Sequence, residues 1–147
     1  MTTADLTQKV DQLLKSAQLR QTKQRESILQ VLLSSSKPLT QNQIAARLRD
    51  KTPNKVTIYR VLEKLIKSCL VHKAFLRKRT WHFELAHNCS EEQCHPHFTC
   101  TDCGDTHCLT EFTVPMAKSE HKGFAIQHQR VQLEGLCPDC SLKTRKA

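Results

Sequence analysis

Two CxxC pairs, Cys100-Thr-Asp-Cys103 and Cys137-Pro-Asp-Cys140, constrain this chain more than any other feature. Each pair sets two thiols on one tight turn, and two such turns can aim four sulfurs at one point, the donor set of a tetrahedral structural zinc. The pairs lie further apart than a minimal zinc ribbon needs, so the metal ties two ends of a small domain together. More donors crowd the first pair than one zinc can use: Cys89, Cys94, His95, His97, His107 and Cys108. His95-Pro-His97 presents two imidazoles on the same side of an extended segment, because side chains alternate at period two. A mixed Cys/His set of borderline softness suits zinc better than iron or magnesium. The expectation is two metal sites, one structural and one that can be emptied and refilled.

At 147 residues the chain can form one domain or two small ones, each needing help to be stable. A zinc staple is such help. No apolar run approaches the ~20 residues that span a membrane. The start, Met-Thr-Thr-Ala-Asp-Leu, lacks the pattern of an export signal. With CxxC pairs present, metal binding in the cytoplasm is expected over a secreted disulfide framework. Charge is uneven: residues 1–83 carry 17 Lys/Arg against 5 Asp/Glu, and residues 84–147 carry 6 against 9. A basic half joined to a slightly acidic, metal-binding half points to nucleic-acid contact by the first and sensing or assembly by the second.

Apolar residues at helical spacing predict four helices in the basic half. Leu6, Val10, Leu13, Leu14 and Ala17 define the first, ending near Leu19. Thr22 caps a second with Ile28, Leu29, Leu32 and Leu33 inside, closed by Ser34 to Pro38. Thr40 caps a third around Ile44, Ala45 and Leu48, and Thr52-Pro53-Asn54 breaks the chain again. The fourth, about Lys55 to Ser68, buries Ile58, Val61, Leu62, Leu65 and Ile66. Its opposite face offers Thr57, Tyr59, Arg60, Lys64 and Lys67, as a helix entering a major groove would. Two strand-like runs follow, Leu70–Leu76 and Thr80–Leu85, with Arg77-Lys78-Arg79 at the turn. A hairpin with a cationic tip after a helix-turn-helix is a wing that meets phosphates. Trp81 and Phe83 are expected to pack on the helices. Gly and Asn are both missing from the turn, which is unusual for a tight hairpin.

Leu19-Arg-Gln-Thr-Lys-Gln-Arg25-Glu-Ser-Ile-Leu, Thr57-Ile-Tyr-Arg-Val-Leu62, His95-Pro-His-Phe-Thr-Cys100-Thr-Asp-Cys103-Gly and Gly135-Leu-Cys-Pro-Asp-Cys140 together resemble the ferric uptake regulator family, over roughly residues 10 to 141. The resemblance implies an α+β chain: a winged helix-turn-helix over residues 1–84 and a small α/β zinc-binding dimerisation domain over 85–147. It implies a homodimeric, metal-responsive transcription factor on a palindromic double-stranded operator, with no membrane partner. Arg20 would reach the minor groove, and Tyr59 and Arg60 would be the main contacts of the recognition helix. Cys100, Cys103, Cys137 and Cys140 would hold structural Zn2+. A regulatory Zn2+ would use His95 and His97 with Cys89 and Cys108, and Cys94, His82 and Glu84 are alternatives for the fourth place. Thiolate ligands favour the zinc uptake regulator branch, a repressor of metal-uptake genes. The alternative is an iron-responsive or a peroxide- or thiol-responsive member.

Three departures from the family pattern are visible. Cys94 and Pro96 flank the histidines and His128 is out of register, so a third metal site is expected to be lost. The segment from Phe112 to Gly123 is short and carries Pro115, so the usual dimerisation helix is expected as a turn or an extended piece. Cys69 stands where the family has glycine and is expected as a buried core thiol. His72, His121 and His128 are expected to be surface or internally satisfied histidines. No His-Glu-x-x-His motif and no nucleophile with a matched base is present, so the chain is not expected to be an enzyme.

Overall fold

The computed structural model describes residues 2–48, 53–86, 95–117 and 123–145. The chain divides into two compact units, residues 1–87 and 88–147.

Among the described residues the first unit holds four helices and a three-stranded sheet. Helix α1 (Thr3–Ser16) starts at a capping box, in which Thr2 and Asp5 satisfy each other's backbone donors. Helix α2 (Lys23–Leu33) is capped by Thr22 and α3 (Gln41–Arg47) by Thr40, as the sequence predicts. Strand β1 (Leu39–Thr40) leads into α3, and α4 (Lys55–Lys67) is capped by Asn54. Strands β2 (Val71–Arg77) and β3 (Thr80–Leu85) form the wing, with sheet order β1-β3-β2. The expected stripes meet in one core around Leu14, Ile28, Leu29, Ile44, Ile58 and Leu62, each at most 1% exposed. A fully buried aliphatic side chain contributes ~1.5–3 kcal/mol, and truncating one such as Ile58 to Ala costs ~2–5 kcal/mol. Phe83 is buried and Trp81 packs partly on this core, under the Lys73 ammonium 5.3 Å from its ring centre.

Helices α1 and α4 close by one physical device, and only α1 stops short of its expected end. Helix α1 stops at Ser16 rather than near Leu19, because Gln18 turns left-handed (φ 54°). The Gln18 N–H then bonds the Lys15 carbonyl (3.0 Å) and the Leu19 N–H bonds that of Leu14 (2.9 Å), a Schellman closure. Helix α4 ends in the same way. Cys69 has φ 56° and its N–H bonds the Ile66 carbonyl (3.0 Å), while the Leu70 N–H bonds that of Leu65 (3.0 Å). Cys69 is therefore exposed and not the buried core thiol the sequence suggested. The left-handed position at a helix end points its side chain to solvent.

The wing also forms without glycine. Arg77 pairs with Thr80, leaving Lys78 (φ 46°) and Arg79 (φ 62°) as the two turn residues. Positive φ at both marks a type I′ turn, whose twist matches that of the strands. Further down the ladder a register shift between Lys73 and Phe75 introduces a bulge.

In the second unit, β4 (His97–Cys100) lies between β5 (Thr106–Cys108), antiparallel to it, and β6 (Gln132–Gly135), parallel to it. Helix α5 (Pro138–Arg145) follows, with proline at its first position where no N–H is needed. The sequence reading contained none of α5, β1, β5 and β6. Parallel neighbours need a crossover, and the described residues of this one, 109–117 and 123–131, contain no helix. Gln129 ties it instead: its amide oxygen accepts from the Ala117 N–H (2.6 Å) and its amide nitrogen donates to the Pro115 carbonyl (3.0 Å).

Candidate metal centre and nucleic-acid interface

The strand pairing of β4 with β6 closes the long gap between the two CxxC pairs. Cys100 lies opposite Gly135, and the Thr101 N–H donates to the Gly135 carbonyl (2.8 Å). A Cβ at 135 would meet the Phe98 ring at 3.4 Å, an ordinary van der Waals contact. Cys103 sits on the turn after β4, closed by Gly104 (φ 74°) with its N–H on the Cys100 carbonyl (3.0 Å). Cys137 immediately precedes α5 and Cys140 lies in its first turn.

The four sulfurs all lie within 4.8 Å of one another, with Cys103 and Cys137 3.8 Å apart. A tetrahedral zinc with Zn–S bonds of about 2.3 Å has sulfur–sulfur edges of about 3.8 Å, so the donor set fits that ion. The Cys137 N–H points at the Cys100 sulfur (3.4 Å), and this bond is the main cause that holds the Cys100 thiol down to about 6. Cys140 is pushed the other way, chiefly by the Asp102 carboxylate and then by Cys137. Cys100 is thus the sulfur of this set that gives up its proton most readily.

The second set of candidates is distributed over both units. In the second unit the His95 and His97 rings are buried, with centroids 4.6 Å apart. Cys108 is directly opposite His97 in the β4–β5 ladder, so the two side chains share one face of the sheet. His107 pairs with Phe98 on the reverse face. Cys89 and Cys94 lie outside the described residues. In the first unit Glu84 faces His72 across the β2–β3 ladder, and the Glu84 carboxylate is 2.6 Å from His72 Nε2. His72 is therefore satisfied inside its own unit. His82 stacks on Phe75 (centroids 4.4 Å, 20° apart), with Nδ1 3.3 Å from the Thr80 carbonyl. Burial lowers its pKa, with help from the charge of Arg77.

On α4, Tyr59, Arg60 and Lys64 project from the face opposite the core and are exposed. Thr57 is different: it is half-buried, and its hydroxyl donates to Asn54 Oδ1 (2.9 Å), which also accepts from the Thr57 N–H (2.8 Å). Thr57 thus holds the start of the helix. Gln41, first residue of α3, donates from its amide to the Lys55 carbonyl and fixes the approach of one helix start to the other. The Tyr59 hydroxyl bonds to Glu63 one turn on, which pushes its pKa up. Val56 is 57% exposed beside them. The sequence reading missed it, although Val56, Tyr59 and Arg60 follow the i, i+3, i+4 spacing of one helix face. Arg20 is exposed in the α1–α2 loop.

Residues 16–134 match the model of the Ferric uptake regulator family. A ferric uptake regulation protein of Campylobacter upsaliensis is 28% identical over 150 residues, covering 95% of this chain and 92% of that protein. The peroxide operon regulator of Bacillus subtilis (strain 168) is 30% identical over 135 residues, covering 88% and 90%. Among solved structures, a zinc uptake regulator complexed with zinc and DNA superposes with a TM-score of 0.71 at 22% identity, covering 100% of this chain and 99% of that one. The Helicobacter pylori ferric uptake regulator Fur gives 0.59 at 19%, covering 96% and 95%. The chain belongs to the ferric uptake regulator family of metal-binding transcriptional regulators.

Proposed function

We propose that this regulator is a zinc-dependent repressor of metal-uptake genes that acts in the cytoplasm as a homodimer on a palindromic operator. Residues 1–84 bind DNA through Arg20, Thr57, Tyr59, Arg60 and Lys64, with Thr57 setting the helix start and the others reaching the duplex. Residues 85–147 hold metal and dimerise. Cys100, Cys103, Cys137 and Cys140 keep a structural Zn2+. A regulatory Zn2+ takes His95, His97, Cys89 and Cys108, with Cys94, His82 or Glu84 as the other candidates for the fourth place. Glu84 has a second metal-competent atom beside it in His72.

The observation that carries the zinc reading is Cys108 opposite His97 on one sheet face. A thiolate beside imidazoles is softer than the carboxylate-rich sets that suit ferrous iron, and favours zinc. The fold likeness to a zinc uptake regulator complexed with zinc and DNA is in keeping with it. Ligands from the junction, at Cys89, and from the metal-binding domain together couple metal to DNA, because the ion binds the DNA-competent arrangement more tightly than the others. Both metals require deprotonated ligands, so occupancy falls as pH drops.

Elemental analysis before and after a mild chelator, paired with operator binding in both states, tests this. Two zincs per chain falling to one, with operator binding lost and then restored by zinc alone, supports the reading. One zinc throughout, with binding indifferent to chelation, rejects the regulatory site. The likeness to a peroxide operon regulator gives the second reading its measurement: peroxide changing operator affinity at constant zinc would favour a thiol-responsive regulator.

A further inference from the structure

We propose that Arg25 is a positioning residue for operator recognition, which fixes the backbone of Arg20 and so aims the Arg20 side chain. The inference rests on Arg20 contacting DNA.

The α1–α2 connection is held from both sides. Gln18 and Leu19 complete the closure of α1, and Leu19 packs against the core. At the other side Thr22 caps α2 by accepting from the Arg25 N–H (3.4 Å). Only Arg20 and Gln21 lie between closure and cap. A guanidinium nitrogen of Arg25 reaches back over this gap and donates to the Arg20 carbonyl.

This is a capping box with its polarity reversed. In the ordinary form the residue three after the cap is Glu or Gln, whose side chain accepts from the cap backbone, as Asp5 does for Thr2 and Gln43 for Thr40. Here the same position is arginine, and it donates to a carbonyl two residues before the cap. A carboxylate in that place would set a negative charge beside Arg20 and the approaching phosphates. Arginine closes the loop with positive charge and with a planar fork, which loses less side-chain freedom per bond than lysine would. Arg25 is half-buried whereas Arg20 is exposed, so one arginine supports and the other is presented.

The Arg20 side chain leaves from the Cα beside the held carbonyl, so freeing that carbonyl lets the side chain sweep a wider arc. A minor-groove arginine discriminates A·T from G·C by groove width and potential, and that discrimination depends on its aim. Loss of Arg25 should therefore act through Arg20.

The test is a double-mutant cycle on operator binding with Arg20→Ala, Arg25→Gln and the combination, on zinc-loaded protein. Amide exchange at residues 19–22 and thermal unfolding are measured in parallel. We expect Arg20→Ala to lose about tenfold, the scale of one base-level contact. Arg25→Gln should lose most of that factor alone and add little to Arg20→Ala. Arg25→Gln should also erase the preference for A·T over G·C at the flanking minor-groove position and speed exchange at 19–22, with the unfolding temperature nearly unchanged. Arg25→Lys, which keeps charge but not the fork, should fall between. Equal losses from Arg25→Gln in both backgrounds would make Arg25 an independent phosphate contact and overturn the proposal, as would unchanged exchange at 19–22. An inert Arg20→Ala refutes the role of Arg20 first, in the single variant, and the inference falls with it.

Discussion

His72 and Glu84 stand opposite each other across the wing ladder, with Nε2 and a carboxylate oxygen 2.6 Å apart and side chains only 11% and 14% exposed. The bulge between Lys73 and Phe75 creates this pairing. Above it residues pair as Phe75 with His82, and below it the register moves by one, so that His72 meets Glu84 rather than Leu85. Breaking a buried hydrogen bond to a charged group leaves the partner unsatisfied, at a cost of ~1.5–3 kcal/mol. Glu84→Ala should lower the stability of the metal-free chain by that order in urea unfolding. If Glu84 is also the fourth regulatory ligand, the same variant retains less zinc. An unchanged urea midpoint would show that the pair contributes nothing to the folded state.

Cys69 holds a left-handed backbone position that glycine takes at no steric cost. Non-glycine residues there cost ~1–2 kcal/mol, part of which is offset by the greater freedom of glycine in the unfolded chain. Cys69→Gly should raise stability by about 1 kcal/mol in urea unfolding and leave operator affinity and zinc content unchanged. Lower affinity in a stabilised Cys69→Gly protein would reveal a role for the thiol that its position at a helix end does not suggest.

At the wing tip, stability and function should oppose each other. Lys78 and Arg79 both occupy positive φ, where Asn-Gly is the favoured pair. Replacing them together by Asn-Gly should stabilise the first unit by ~1–2 kcal/mol. It should also remove two phosphate contacts, so the slope of log affinity against log salt flattens by about 2. Anisotropy titrations at several salt concentrations, beside thermal unfolding, read both effects. A stabilised variant with an unaltered slope would mean the wing does not touch DNA.

The start of α1 should be acid-sensitive. The Thr2 hydroxyl and N–H both donate to the Asp5 carboxylate (2.7 and 3.1 Å), and these bonds lower its pKa below the ordinary carboxylate value. The folded state therefore favours the charged form. Its contribution is present above the unfolded pKa of about 3.9 and is lost as pH falls through the lower folded value. Urea midpoints between pH 5 and pH 2.5 should fall more steeply in the wild-type chain than in Asp5→Ala. Parallel curves would show that the cap is not formed in solution.

Much of the fold was legible along the chain. Helix periods, the caps Thr22 and Thr40, the cationic turn and the two CxxC pairs are local patterns whose meaning does not depend on distant residues. The same holds for the exposed face of α4, because burial of Ile58 and Leu62 leaves Tyr59, Arg60 and Lys64 facing out. Helix α5 was missed because its sequence lacks an apolar stripe, and β1 because two residues carry no period.

What only tertiary structure decided is register. The sequence named His97 and Cys108 as metal candidates, but a ladder sets them opposite one another. It left His72 as either a surface or an internally satisfied histidine, because a one-residue bulge chose Glu84 as its partner. Along the chain Arg25 is only the third residue after the Thr22 cap, while its reach back to the Arg20 carbonyl depends on how two helix ends meet. Donor type and local period follow from covalent structure, residue by residue. Which donors face each other follows from hydrogen-bonded ladders and helix closures, where a slip of one residue exchanges every neighbour.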